Sequence, residues 1–209
     1  MDVATFELLC AAPREGAPSQ PQLQALNVIA DVWAGEGRPA GQALAEHLQG
    51  RLTEARCVEL GIESWLCRVD PRALALRFAP DLSALVDQVA ARHDFAAATR
   101  ALAWIGTGEA GRPLHALVAE RLSDMLGAVE RRELAVTPER GGYRLGNGWW
   151  LGVFVRGDDF WRIDVVTSPD GFELHLIDFD DGPLAELNEY EPPGDVEQEV
   201  YGLGVPAGR

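Results

Sequence analysis

The chain has 209 residues, of which 33 are acidic and 18 basic, giving a formal net charge of −15. Its length suffices for one ordinary domain or two small ones, and 47% hydrophobic residues are typical of a globular chain. Dense negative charge repels phosphate, so we expect no nucleic acid partner and no anionic membrane surface.

Several further classes of protein are disfavoured. No apolar run approaches the roughly 20 residues of a membrane span, and the first residues lack the basic start of a signal peptide, so a cytoplasmic location is expected. Cys10, Cys57 and Cys67 form no CxxC pair, and we interpret them as buried thiols. No metal and no cofactor is expected. Every basic residue is arginine, a bias typical of GC-rich bacterial genomes.

Two helices are predicted near the start of the chain. Ser19 followed by Pro21 predicts a helix that runs to a break at residues 35–39, and a shorter helix should cover residues 40–49. Residues 51–78 carry apolar residues at both the helical and the strand period, and their PRALALRF segment alternates like a strand. This stretch is predicted only as mixed.

Three core-facing helices follow. The first starts at Pro80 and Asp81, the second at Asp94, and the third at Pro113. The third has one continuous apolar stripe over residues 114–129.

From Leu134 the apolar period changes to two, and turn dipeptides separate short segments. This pattern predicts an antiparallel meander of three to five strands. The predicted fold class is α+β: a mostly helical region over 1–132, a meander over 133–181 that packs on it, and an acidic extended tail over 182–209. One continuous domain is favoured.

The turns predict a strand register. Counting back from Gly157 and Asp158 places Phe154 beside Trp161. The SPDG turn should pair Val165 with Leu174, Ile163 with Leu176, and Asp164 with His175. The face expected to pack on the helices holds Trp150, Phe154, Trp161, Ile163, Val165, Leu174 and Leu176. The opposite face is expected to hold Trp149, Leu151, Val153, Arg162, Asp164 and His175.

Two ligand motifs match only in part. Gly106, Gly108 and Gly111 spell GxGxxG, but the preceding segment is helical in pattern, which favours a loop between helices over a dinucleotide site. Taken as a calcium loop from Asp178, the acidic stretch has Gly182 where a ligand is needed and Pro183 where glycine is needed. An EF-hand is therefore excluded.

The acidic residues are concentrated near the end of the chain. Residues 158–199 contain 14 acids and one base, a net charge of −13. We hypothesise a non-enzymatic protein-binding module whose acidic C-terminal face engages a basic protein, as in an immunity or antitoxin-like inhibitor or a chaperone. The residues expected to contact the partner are Trp149, Asp178, Asp180, Asp181, Glu186, Glu189, Tyr190 and Glu191.

Two alternatives remain open. A small hydrolase-like enzyme would have its site around Asp164, His175 and Asp178, where a carboxylate could orient an imidazole, although the sequence has no GxSxG nucleophile motif. The chain would otherwise be a subunit of a larger assembly. Its oligomeric state is not predicted.

Overall fold

The computed structural model describes residues 1–11, 16–155 and 161–188. The chain divides into two compact units, Met1–Gln88 and Val89–Arg209. The described residues of the first unit form helices, and those of the second form helices and a sheet. The prediction of one continuous domain with a helical region ending at residue 132 stays a prediction.

The bounds of the described elements are as follows. The α-helices are α1 Val3–Cys10, α2 Gln20–Gly35, α3 Pro39–Leu48, α4 Glu54–Glu59, α5 Pro71–Arg77, α6 Leu82–Ala91, α7 Phe95–Ile105, α8 Arg112–Glu130 and α9 Pro183–Asn188. The 3₁₀ helices are Ser64–Arg68, Glu109–Gly111 and Leu176–Asp178. The strands are β1 Val136–Glu139, β2 Gly142–Leu145, β3 Trp150–Val155, β4 Trp161–Thr167 and β5 Glu173–His175.

Helix α2 begins where the sequence predicts. Ser19 and Gln22 form a capping box, in which the Ser19 N–H donates to Gln22 Oε1 at 2.8 Å. Helix α3 then packs closely on α2 through Gly41, because a Cβ at this position would lie 2.3 Å from the backbone N of Ala34. Only glycine permits so close an approach of the two backbones.

The mixed stretch, residues 51–78, is helical wherever it is regular, and the PRALALRF segment, which alternates like a strand, forms α5. Helix α5 is capped by Asp70, which accepts a hydrogen bond from the Arg72 N–H at 2.7 Å. Arg72, Leu74, Ala75 and Leu76 of this helix are all buried. A short helix that is buried almost all round has no polar face to reveal its period, which explains why the sequence predicts this stretch only as mixed.

The three predicted helices after Pro80 are confirmed as α6, α7 and α8. Asp94 caps α7 by accepting a hydrogen bond from the Ala97 N–H at 3.0 Å. The GTGEAG segment follows α7, which is a helix and not a strand, and Gly106 ends α7 with φ +76°. The loop interpretation of these glycines is therefore confirmed.

The meander is a five-stranded antiparallel sheet in which neighbours in sequence are neighbours in space, β1-β2-β3-β4-β5. Its predicted register is wrong by one residue. Phe154 pairs with Arg162 instead of Trp161, and Val165 pairs with His175 instead of Leu174. A bulge causes a further shift, because Val153 pairs with Ile163 while the adjacent Gly152 pairs with Val165, which leaves Asp164 as the extra residue.

The bulge changes which residues face the core. Ile163 and Val166 are both buried although three positions separate them, because Asp164 interrupts the alternation. Leu151, expected on the outer face, is 1% exposed, and Trp150 and Val165, expected inside, are half-buried. The predicted inner positions of Ile163, Leu174 and Leu176 are confirmed. The side chains of Val153, Phe154, Trp161 and Arg162 lie outside the described ones.

Helix α8 covers the buried face of the sheet. Its Leu122 and Leu126 line one small cavity together with Leu151, Ile163 and Val166. The architecture is α+β, as predicted.

Candidate functional site

Four exposed carboxylates surround the end of the described chain in the second unit. Asp178 closes a 3₁₀ helix, Asp180 and Asp181 lie in the turn that follows, and Glu186 lies on α9. We call Asp178, Asp180, Asp181 and Glu186 the acidic rim. Residues 176–187 contain these four acids and no basic residue.

Apolar residues between the carboxylates hold the acidic rim on the body of the unit. Leu176, Phe179 and Leu184 are 0%, 7% and 1% exposed. Helix α9 packs on α8, and the ring of Phe179 meets His115 of α8 edge to face, with centroids 4.9 Å apart. Alternation of buried apolar and exposed acidic residues thus presents the charges from a packed base and not from a loose tail.

Gly182 makes the turn between Asp181 and α9. Its φ is +81°, a conformation that favours glycine, and its carbonyl accepts a hydrogen bond from the Glu186 N–H at 3.2 Å. This turn carries the chain from the 3₁₀ helix into α9. Gly182, which occupies a position where a calcium loop needs a ligand, therefore has a conformational role.

His115 lies behind the acidic rim. Its Nε2 is buried and has no hydrogen-bond partner in the described part of the chain, and it packs so closely on Gly111 that a Cβ there would lie 3.0 Å away. Burial lowers the pKa of His115, and the charge of Arg112 lowers it further, while the carboxylates of Asp181 and Glu109 oppose both effects. His115 is thus a neutral packing partner of Phe179 at neutral pH, within electrostatic range of Asp181.

The acidic rim lacks internal charge compensation. Within the described residues, none of its four carboxylates has an arginine ion-pair partner. Carboxylates elsewhere commonly have one. Asp170 lies 2.8 Å from Arg100, and Glu139 lies 2.8 Å from Arg144. Negative charge on the acidic rim is therefore left for solvent or a partner to balance.

Trp149 requires a correction. It was expected to anchor a partner, but it is 6% exposed and stacks on Phe95 of α7, with ring centroids 4.5 Å apart. A buried indole has no surface to offer in this conformation, so Trp149 belongs to the core. Glu189, Tyr190 and Glu191 lie outside the described residues.

The residues of the hydrolase-like alternative are not arranged as expected. His175 pairs with Val165 and not with Asp164, and its Nε2 lies 3.7 Å from Glu173 on its own strand. Asp164 is the half-buried extra residue of the bulge, and Asp178 lies beyond the end of β5. The predicted cross-strand pair of Asp164 and His175, on which that alternative depended, is therefore wrong.

Sequence reasoning missed two residues of this region. Ile177 is 46% exposed between Leu176 and Asp178, because β5 ends at His175 and a 3₁₀ turn redirects the next side chains. No pattern in the sequence signals the contact of His115 with Phe179. Ile177 supplies the exposed apolar group that Trp149 does not.

Three other observations bear on function. Within residues 1–11, 16–155 and 161–188, no helix combines the length and apolar character needed to cross a membrane. The same residues contain no group of three or more metal-binding side chains placed to hold an ion. Comparisons with protein-family models, with curated proteins and with solved structures find no match to this chain.

Proposed function

We propose that the protein is a binding module and that its acidic rim engages a basic surface on a protein partner. The observation that carries this proposal is the contrast between four exposed, uncompensated carboxylates and the many carboxylates elsewhere that have arginine partners. Opposite charges on two protein surfaces raise the association rate and orient the two proteins as they meet. A basic partner supplies the missing counter-charge.

The exposed side chain of Ile177 supports this assignment. Ile177 is 46% exposed and directly precedes Asp178. Protein interfaces usually combine an apolar centre, which supplies affinity, with a polar rim, whose charges help to orient the partner. We propose Ile177 as an apolar contact in place of Trp149.

The partner class follows from the charge. A cationic surface rich in arginine or lysine is typical of nucleases and other proteins that bind phosphate, and clustered carboxylates imitate phosphate. An immunity or antitoxin-like inhibitor of such a protein, or a chaperone for one, is the role we propose. An inhibitor would block its partner's activity at one-to-one stoichiometry, whereas a chaperone would leave the folded partner active.

The test compares two variants that change the net charge equally. In the rim variant all four carboxylates are neutralised: Asp178→Asn, Asp180→Asn, Asp181→Asn and Glu186→Gln. In the scattered variant four exposed carboxylates elsewhere are neutralised: Asp31→Asn, Asp81→Asn, Asp87→Asn and Glu120→Gln. Each exposed substitution should change the free energy of unfolding by no more than about 0.5 kcal/mol, so both variants should fold.

Both variants and the unchanged protein are immobilised, and basic proteins are captured from a lysate of the producing cell. Surface plasmon resonance then measures the rate at which a purified partner associates with each immobilised protein. The rim variant should associate at least about tenfold more slowly than the scattered variant, with a similar loss for the unchanged protein as salt rises from roughly 0.05 to 0.5 M. Equal rates for the two variants would reduce the acidic rim to a solubilising surface.

Charge substitutions are preferable to truncation after Phe179. Truncation would remove α9, whose Leu184 is 1% exposed and which packs on α8. Loss of a buried leucine typically costs about 2 to 5 kcal/mol, so the truncated unit would change in stability as well as in charge. An Ile177→Ser variant then tests the apolar contact, with an expected rise in the dissociation rate and not in the salt dependence.

A further inference from the structure

Two of the three cysteines, which do not have the spacing of metal ligands in the sequence, are brought together by the fold of the first unit. Cys57 is buried on α4, and Cys67 is half-buried on the 3₁₀ helix Ser64–Arg68. Helix α4 ends in a tight reversal, in which the Ile62 N–H donates to the Cys57 carbonyl at 2.8 Å and the Gly61 N–H donates to the Val58 carbonyl at 3.0 Å. This Schellman motif returns the chain so that the 3₁₀ helix packs on α4.

The reversal places Cys67 beside Cys57. The charge, the side chain and the backbone N–H of Cys67 all lie close enough to act on the pKa of the Cys57 thiol. Cys67 also reaches solvent, whereas Cys57 is 0% exposed. An oxidant therefore meets Cys67 first, with Cys57 directly behind it.

A positive charge lies beside the outer thiol. Glu54, the ion-pair partner of Arg68, is the main cause of the raised pKa of the Arg68 guanidinium, and Cys67 lies close enough to raise that pKa further. A neighbouring cation favours the thiolate, which is the form of cysteine that attacks oxidants. The side chain of Arg68 is 76% exposed, so it can be changed without disturbing the core.

We propose that Cys67 is a peroxide-reactive thiol and that Cys57, packed against it by the reversal after α4, captures the oxidised form as an intramolecular disulfide. The Cys67 thiolate attacks one oxygen of hydrogen peroxide, the O–O bond breaks, and hydroxide leaves, so that Cys67 becomes a sulfenic acid. The Cys57 sulfur then attacks the sulfenic sulfur, the S–O bond breaks, and water leaves with the proton of the Cys57 thiol. Both sulfurs are oxidised by one electron each, and a thiol reductant restores them.

The environment of Cys57 agrees with this order of events. Burial raises the pKa of the Cys57 thiol, and the neighbouring Cys67 raises it further, so Cys57 stays protonated while Cys67 is reduced. Once Cys67 is a neutral sulfenic acid, the charge that opposed ionisation of Cys57 is gone. The second step should therefore become faster as the pH rises.

The test oxidises the folded chain with dilute hydrogen peroxide, stops the reaction with catalase, alkylates under denaturing conditions and maps the peptides by mass spectrometry. We expect a Cys57 to Cys67 disulfide that dithiothreitol reverses, while the buried Cys10 remains reduced. A disulfide that includes Cys10, or a sulfinic acid at Cys67 with Cys57 still free, would overturn the proposal.

Three variants separate the roles. Cys67→Ser should leave Cys57 a thiol, and Cys57→Ala should leave Cys67 as a sulfenic acid that dimedone labels. Arg68→Gln should slow oxidation severalfold, whereas the control Arg77→Gln, an exposed arginine 3.8 Å from Glu63, should not. Oxidation of Cys57 at the unchanged rate in Cys67→Ser would also overturn the proposal, and the Arg68 comparison holds even where Cys57→Ala unfolds.

Discussion

Replacement of Asp70 by alanine should be among the most destabilising single changes in the first unit. Arg72 is 1% exposed, and its Nε donates to Asp70 Oδ1 at 2.7 Å. Asp70 also caps α5 through the Arg72 N–H. The terminal nitrogen of Arg72 donates to the Gly16 carbonyl at 2.9 Å, which does not neutralise the charge.

The expected loss can be worked from these contacts. Removing one partner of a buried ion pair typically costs about 3 to 5 kcal/mol, because the remaining charge loses its counter-ion in a poorly solvated site. Loss of a helix cap costs about 1 kcal/mol. One carboxylate makes both interactions, so the two losses overlap, and we expect Asp70→Ala to lower the free energy of unfolding by about 4 kcal/mol. That is a large share of the roughly 5 to 15 kcal/mol that stabilises a folded chain.

Urea unfolding followed by circular dichroism measures this change. Asp70→Asn keeps a capping oxygen but removes the charge, so it should lose most, though not all, of the same stability. The double variant Asp70→Asn with Arg72→Met removes both charges and should recover at least half of the loss, because the buried guanidinium is removed together with its carboxylate counter-ion. A cost below about 1 kcal/mol for Asp70→Ala, or no recovery in the double variant, would refute the view that Asp70 neutralises Arg72.

Two further predictions concern other contacts. Gly41→Ala places a Cβ 2.3 Å from the Ala34 backbone and should lower the free energy of unfolding by about 3 kcal/mol. Gly35 has open space around it, so the control Gly35→Ala should be neutral or slightly stabilising. Urea unfolding of the two variants measures the difference. The lowered pKa of His115 means that the unfolded chain takes up a proton first as the pH falls below the ordinary value of 6.5, so stability should fall from that pH down to the folded-state pKa. Thermal melts between about pH 7 and 5 should show a flatter pH dependence in His115→Leu, and equal slopes would contradict the argument.

The helices were predictable because their starts carry local chemistry. Ser19 and Asp94 each precede a predicted helix, and a side chain accepts a hydrogen bond from a backbone N–H at each start: Gln22 Oε1 accepts from the Ser19 N–H, and Asp94 Oδ1 accepts from the Ala97 N–H. Such signals need no knowledge of the tertiary fold. The sequence left α5 within a mixed stretch, because Arg72 is buried while paired with the carboxylate of Asp70 and so does not mark a solvent-exposed face.

The strand faces were less predictable because a sheet has a period of two. One extra residue reverses every later assignment on the strand, and no local feature of Asp164 reveals that it is the extra residue. The sheet and its order were predicted from turns and alternation, which a shift of one residue leaves intact. The predicted pairing of Asp164 with His175, and with it the hydrolase-like alternative, depended on the register after the SPDG turn, which differs from the prediction by one residue.

The same distinction explains which residues of the candidate site are exposed and which are buried. Asp178, Asp180, Asp181 and Glu186 are exposed as expected, because an uncompensated carboxylate is so costly to bury that its exposure hardly depends on register. An aromatic residue is stable on either face, so the position of Trp149 depended on its partner Phe95 in α7, which the sequence does not identify. Charge patterns therefore locate a candidate binding surface more reliably than they locate its apolar contacts, and Ile177→Ser tests the contact that only the structure reveals.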